Sequence, residues 1–246
     1  MRRIEYLSLA LAFIMQLSAA RADNSADARA VVDKAIEAAG GTEKLAKFNT
    51  TTFKQKGTYY AQGRSIPFTA KYAVQWPDRF RMEAEGAFTL VLDGDKGWTE
   101  TQGKAEELSR DVFAEQKANN YFGWVTTLLP LQKDSGFKLG TQPASEVEGR
   151  AVEVVKVSRA GHADVILFFD KQTALLVKSE YRGTAKDLGG KEVLFESFYK
   201  DYQRNEGAKL PTKLLMKRDG DKRVESEIFD MKAEKKLEEK LFTKPS

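Results

Sequence analysis

The chain has 246 residues, no cysteine, one histidine and a formal net charge of +4 from 40 basic and 36 acidic side chains. The missing cysteine excludes disulfides, thiolate metal sites, thiol nucleophiles and a lipid-modified cysteine. Charges of both signs are intermixed, so the pI of about 9.0 does not mark a nucleic-acid-binding surface.

Residues 1–22 read as an export leader. Met1-Arg2-Arg3 is a charged start, Leu7 to Leu17 is a short apolar run, and Ala20-Arg21-Ala22 is a small-x-small site that predicts cleavage before Asp23. The run falls short of the about 20 residues a spanning helix needs. Cleavage removes Arg2, Arg3, Glu5 and Arg21, a net +2, which leaves the mature chain near +2. Residues 23–246 are long enough for one large domain with its own core.

The mature chain opens with a helix. Asn24 or Ser25 caps it, Val31, Val32, Ala35, Ile36 and Ala39 form its apolar stripe, and Gly40-Gly41 ends it. Thr42 is predicted to cap a short turn of helix over 43–48. Residues 51–60, 65–75, 78–85 and 88–92 then read as consecutive strands, with Gly63, Pro77 and Gly86 between them. In "WPDRFRMEAEG", Phe80 and Met82 point one way and Arg79, Arg81 and Glu83 the other, the period of a half-buried strand. The run 93–97, "DGDKG", is a hairpin turn leading into a strand over 98–101.

A helical insertion follows. Residues 111–119 are polar, whereas 121–131, "YFGWVTTLLPL", form the most apolar stretch of the mature chain, limited by Pro130. Beyond Gly140 the chain returns to strands over 151–157, 164–169, 175–182, 191–202, 209–217 and 223–232. Consecutive strands with short links imply antiparallel neighbours, and the class is α+β. The mixed-charge tail "KAEKKLEEKLF" is a solvated face whose Leu237, Leu241 and Phe242 dock inward.

Catalytic signals are weak. His162 lies alone in the turn "RAGHAD", where a solvated loop histidine is the expectation. There is no G-x-S-x-G and no phosphate-cradling glycine loop. Asp93 and Asp95 flank Gly94, and Asp219 and Asp221 flank Gly220, as tight turns require. No enzyme, cofactor or metal site is expected. The apolar inventory is the stronger feature: Trp76, Phe80, Met82, Phe88, Leu90, Trp98, Phe122, Trp124, Val125, Leu128 and Leu129. Core packing accounts for any one of them, while a long sheet that curls without closing would leave its concave face wide enough for a ligand.

Gly57 followed by two strands, then "WPDRFRME", then "LVLDGDKGWTE", resembles the periplasmic lipoprotein carrier (LolA-like) superfamily. Later, "FFDKQTALLVKSEY" and "YKDYQRNEGAKLPTKLLM" resemble its last strands and those of outer membrane lipoprotein-sorting-like proteins. The match spans nearly the whole mature chain, and the order of the motifs is more specific than any one of them. It implies a strongly curved antiparallel sheet, an unclosed half-barrel of about 11–12 strands, with helices over its concave face. It also implies a monomeric periplasmic carrier or chaperone that holds a lipid or lipoprotein acyl chains against the apolar residues named above. A membrane-associated donor or acceptor protein is the implied partner, and nucleic acid is not one.

The carriers place an arginine immediately before the proline of this Pro-x-x-Phe step. Trp76 stands there instead, so a lid held by that arginine is not implied. The same half-barrel also serves periplasmic sensors that bind a partner protein without carrying lipid. A filled interior would favour that reading, and an apolar cavity on the order of several hundred Å³ would favour lipid.

Overall fold

The computed structural model describes residues 24–61 and 63–245. The predicted leader and its cleavage point before Asp23 lie outside the described residues. Helix α1 spans 24–38, and Val32, Ala35 and Ile36 from its predicted stripe are buried. It ends at Gly40 and Gly41, whose φ values of 115° and 87° suit glycine. The predicted Thr42 cap does not form, and Gly41 precedes α2 instead. The Asn24 side chain accepts the Thr141 N–H at 2.8 Å, and the Thr42 hydroxyl donates to Gln132 at 2.9 Å. Both side chains therefore tie elements together. Helix α2 (Thr42–Ala46) runs into a 3₁₀ turn (Lys47–Asn49).

Thirteen strands then form one sheet. In chain order they are β1 (Thr50–Ala61), β2 (Arg64–Gln75), β3 (Arg79–Ala84), β4 (Phe88–Asp93), β5 (Lys96–Thr101), β6 (Lys104–Glu107), β7 (Lys138–Val147), β8 (Arg150–Ser158), β9 (Val165–Asp170), β10 (Leu176–Ala185), β11 (Lys191–Asn205), β12 (Ala208–Arg218) and β13 (Asp221–Ala233). The spatial order is β6-β5-β4-β3-β2-β1-β13-β12-β11-β10-β9-β8-β7. Every neighbouring pair is antiparallel. First and last strands meet in the middle of the sheet, and the free edges are β6 and β7. Both edge strands escaped the sequence reading. β6 is short, polar and without alternation, and Pro143 with a bulge between Gln142 and Ser145 disguises β7.

The insertion between β6 and β7 is helix α3 (Arg110–Thr126) and helix α4 (Leu129–Lys133). The polar and apolar halves of the insertion share one helix through residue 126. The break falls at Leu128, whose φ is 67°, just before Pro130 in the first turn of α4.

The path of α3 shows how far the sheet curls. Lys117 Nζ donates to the Gly94 carbonyl at 3.0 Å, and Tyr181 of β10 donates to Asn119 at 2.6 Å. Gly94 lies in the β4–β5 turn, and seven strand steps separate β4 from β10, about 34 Å on a flat sheet. One helical turn touches both, so the sheet folds round into an open half-barrel with α3 across its gap.

The main core lies between the helices and the inner face of β8–β10. It includes Ile36, Phe122, Val125, Leu131, Leu167 and Phe169. A smaller cluster on the outer face joins Val152, Val154, Phe168 and Phe198. The C-terminal tail covers another part of the outer face: Leu237 and Phe242 pack on Ala73 and Val91, as the sequence predicts for that tail, with Trp98 and Leu241 beside them.

Candidate functional site

Strand register assigns each side chain to a face. One inner-face row runs from Phe53 (β1) to Tyr72 (β2), Met82 (β3), Leu90 (β4) and Thr99 (β5). The next row contains Val74, Phe80, Leu92 and Gly97. Gly97 marks these rows as inner, because a Cβ there would meet Leu108 and Phe113 at the start of α3, 2.8 and 2.9 Å away. On the other side of β1, Ile228 faces Gln55, and Ser226 and Val224 continue the face to Leu214 and Met216.

Phe53, Tyr72, Phe80, Met82, Leu214, Met216 and Ile228 are only half-buried. None of them belongs to the main core or packs against it. Phe53 stacks on Tyr72 with ring centroids 4.5 Å apart, and Tyr72 meets Phe80 edge-on at 6.0 Å. The concave face is thus dry core beneath β8–β10 and a continuous, half-covered apolar wall from β12 through β13, β1 and β2 to β3.

Helix α3 roofs this wall through contacts to both sides of the gap. Asn120 donates to the Pro77 carbonyl at 2.5 Å, and Lys117 reaches Asp78 at 3.4 Å. A Cβ on Gly123 would stand 2.9 Å from Cη2 of Trp76, so glycine lets the indole lie against the helix. Trp76 therefore still contacts the covering helix, by packing rather than by charge. On the β10 side Phe122 lies on Tyr181, centroids 4.6 Å apart. Two buried polar atoms of α3, Asn120 Oδ1 and the Tyr121 hydroxyl, find no partner among the described residues.

The sequence-predicted site residues fall into three groups. Phe80, Met82 and Leu90 share the inner face as expected, and Phe88 has the same parity but lies exposed at the first residue of β4. Phe122, Val125, Leu128 and Leu129 are buried in the main core, where they fill space instead of lining it. Trp98 is a correction: it pairs with Val91, so it sits on the outer face under the C-terminal tail. Trp76, Trp124 and Leu129 border a separate cleft of about 460 Å³, with Asn49, Pro77, Pro130, Lys133, Asp134 and Ser135. A second cleft of about 440 Å³ lies between α1 and β7–β8. The sequence did not single out Phe53, Tyr72, Leu214, Met216 or Ile228: the first two join the face through the β1–β2 and β2–β3 pairings, and only the pairing of β1 with β13 brings the other three beside them.

His162 is exposed, yet its ring lies flat on Tyr121 with centroids 3.8 Å apart. Burial there lowers its pKa, and the nearby Arg159 and Lys117 cations lower it further. Arg159 in turn binds Asp134 at 2.6 Å and lies over Phe137. The same burial raises the Tyr121 phenol to about 12. Among the described residues no group of three or more His, Cys, Asp or Glu side chains is placed to hold a metal ion, and no helix is long and apolar enough to cross a membrane.

No family model matches the chain, and no curated protein matches it. Solved structures do. A LolA superfamily protein from Nitrosomonas europaea aligns with a TM-score of 0.59 at 12% identity, covering 88% of this chain and 97% of that one. A DUF1329 family protein from Desulfovibrio piger gives 0.60 at 11% identity, with the same coverages of 88% and 97%. An outer membrane lipoprotein-sorting protein domain from Vibrio parahaemolyticus gives 0.50 at 14% identity, covering 86% and 97%. With sheet order and alignment in agreement over nearly the whole described chain, the fold is an unclosed half-barrel, the fold it shares with these three structures.

Proposed function

We propose that the protein is a binding or carrier protein for a lipid, a lipoprotein acyl chain or a similar hydrophobic ligand, held on the concave face beneath α3. One observation carries this reading: the row Phe53, Tyr72, Phe80, Met82, Leu214, Met216 and Ile228 forms a continuous apolar wall that the main core leaves half-covered. Apolar side chains of this size gain by leaving water, at about 25 cal/mol for each Å² buried, and an acyl chain completes what the protein's own helices do not. The leader-like sequence of residues 1–22 supports a periplasmic location for this carrier.

Titration with a fluorescent fatty-acid analogue tests it. The wild type is expected to bind saturably. Met82→Glu is expected to lose at least tenfold in affinity while keeping its far-ultraviolet circular dichroism, because an unpaired carboxylate among apolar groups is costly. Undiminished binding by a folded Met82→Glu protein would remove the concave face from the account.

A further inference from the structure

The apolar wall contains a polar group with nothing to bind. Tyr72 lies in the middle of it, with Phe53 stacked on one side and Phe80 edge-on at the other. Its hydroxyl makes no hydrogen bond with any described residue. Desolvation pushes this phenol well above its ordinary pKa, yet the side chain is only half-buried. The ring is thus crowded by protein while part of the side chain stays accessible from the concave face. Three other tyrosines, in or against the main core, are satisfied: Tyr181 by Asn119 at 2.6 Å, Tyr199 by Ser179 at 2.8 Å, and Tyr202 by the Leu176 carbonyl at 2.6 Å.

The Tyr72 hydroxyl binds no described protein group and is not among the buried polar atoms, so it is open to a ligand on this face. In an otherwise apolar site, one such group fixes the orientation of a ligand. The neighbourhood has one further polar element. Two positions along β1 from Phe53, the buried Gln55 amide donates to Ser226 at 2.6 Å and is thereby held in place on the same face. The Tyr72 hydroxyl is thus a free donor set among apolar side chains.

We infer that Tyr72 is a specificity-determining residue whose hydroxyl donates to the carbonyl or carboxyl oxygen of an acyl ligand, so that the site selects acyl compounds over plain hydrocarbons of similar size. This rests on the concave face being the ligand site. No covalent step is involved. A phenol donates, an acyl oxygen accepts, and the chain beyond it lies along Met82, Leu214 and Met216.

The test uses the full mature chain and two fluorescent probes, cis-parinaric acid, which carries a carboxyl group, and diphenylhexatriene, which is a hydrocarbon. Tyr72→Phe keeps the ring and its stacking on Phe53 and removes only the hydroxyl. The ratio of the Kd for the acid to the Kd for the hydrocarbon is expected to rise at least fivefold in this variant. Near-ultraviolet circular dichroism confirms that the aromatic packing is retained, and Tyr72→Leu is expected to weaken both probes, which checks that Tyr72 touches them. An unchanged ratio in a folded Tyr72→Phe protein, with the hydrocarbon still bound and displaced by Met82→Glu, would overturn the role of Tyr72 and leave the concave site standing. Binding of neither probe by the wild type would overturn both.

Discussion

Gly57 of β1 sits directly opposite Ser226 of β13. A Cβ there would collide with the Glu225 carbonyl oxygen and stand 2.6 Å from Cβ and 2.7 Å from Cα of Ser226. Backbone cannot give way as a flexible side chain can, so Gly57→Ala is expected to destabilise by about 1–3 kcal/mol, the usual range for overpacking. For a domain of this size each kcal/mol lowers the melting temperature by about 2–4 °C. An unchanged melting temperature would show that the central strands are looser than the register implies. His162 gives a second prediction at this scale. Its pKa is lowered by burial on Tyr121 and then by Arg159 and Lys117, so the folded state favours the neutral ring. The unfolded chain then binds the proton more readily, and the contribution is intact above the ordinary imidazole value of about 6.5 and lost as pH falls below it. Relative to His162→Phe, the wild type is expected to lose stability between about pH 7 and 5, by a small amount because the ring is exposed. A difference that stays constant with pH would contradict this. Fatty-acid binding at pH 7.5 is expected to be the same in both proteins.

Helix α3 has two halves with different ties. Tyr121, Phe122 and Val125 are buried in the main core, so this half stays in place. The preceding residues are held by polar contacts at strand ends, through Lys117 and Asn120 to Gly94, Pro77 and Asp78, and through Asn119 to Tyr181. Such contacts can open at far smaller cost than a packed core. The polar half is therefore expected to swing when ligand enters. The chain has no native cysteine, so Asp78→Cys with Asn120→Cys adds one disulfide beside the Asn120–Pro77 bond. Oxidation is expected to slow uptake of the fatty-acid analogue at least tenfold and reduction to restore it, and equal rates in both redox states would show that α3 is a fixed roof.

How much of these elements was legible follows from the kind of signal each one carries. The strict alternation of Phe80 and Met82 with Arg79, Arg81 and Glu83 gave β3 and its faces directly. Residues 111–131 showed their polar and apolar halves, yet backbone hydrogen bonds run through that composition change and stop at Leu128 instead. Trp98 lies on the face opposite to the one expected, because the turn predicted over 93–97 is shorter than that run. The actual loop is two residues, Gly94 and Asp95, which pairs Leu92 with Gly97 and turns Trp98 outward. β6 and β7 have no usable alternation: β6 is four residues, Lys104–Glu107, and the irregularity between Gln142 and Ser145 breaks the period of β7.

On the scale of the whole molecule, the sheet begins and ends in its own centre. The β1–β13 pairing brings Phe53, Tyr72 and Met82 beside Ile228, Leu214 and Met216, residues that are far apart in sequence. This explains why the motifs of the family resemblance revealed the half-barrel while the composition of its concave wall stayed hidden. The wall stays half-covered, and the proposed function depends on something apolar occupying it. Native mass spectrometry of protein purified without detergent, followed by organic extraction and mass analysis of the extract, measures this most directly. The account predicts an added mass of a few hundred daltons or more that is lost on extraction, identified as an acyl compound, and reduced in Met82→Glu. A wild-type protein that carries no added mass, and that takes up none after incubation with fatty acids or phospholipid vesicles, would contradict it.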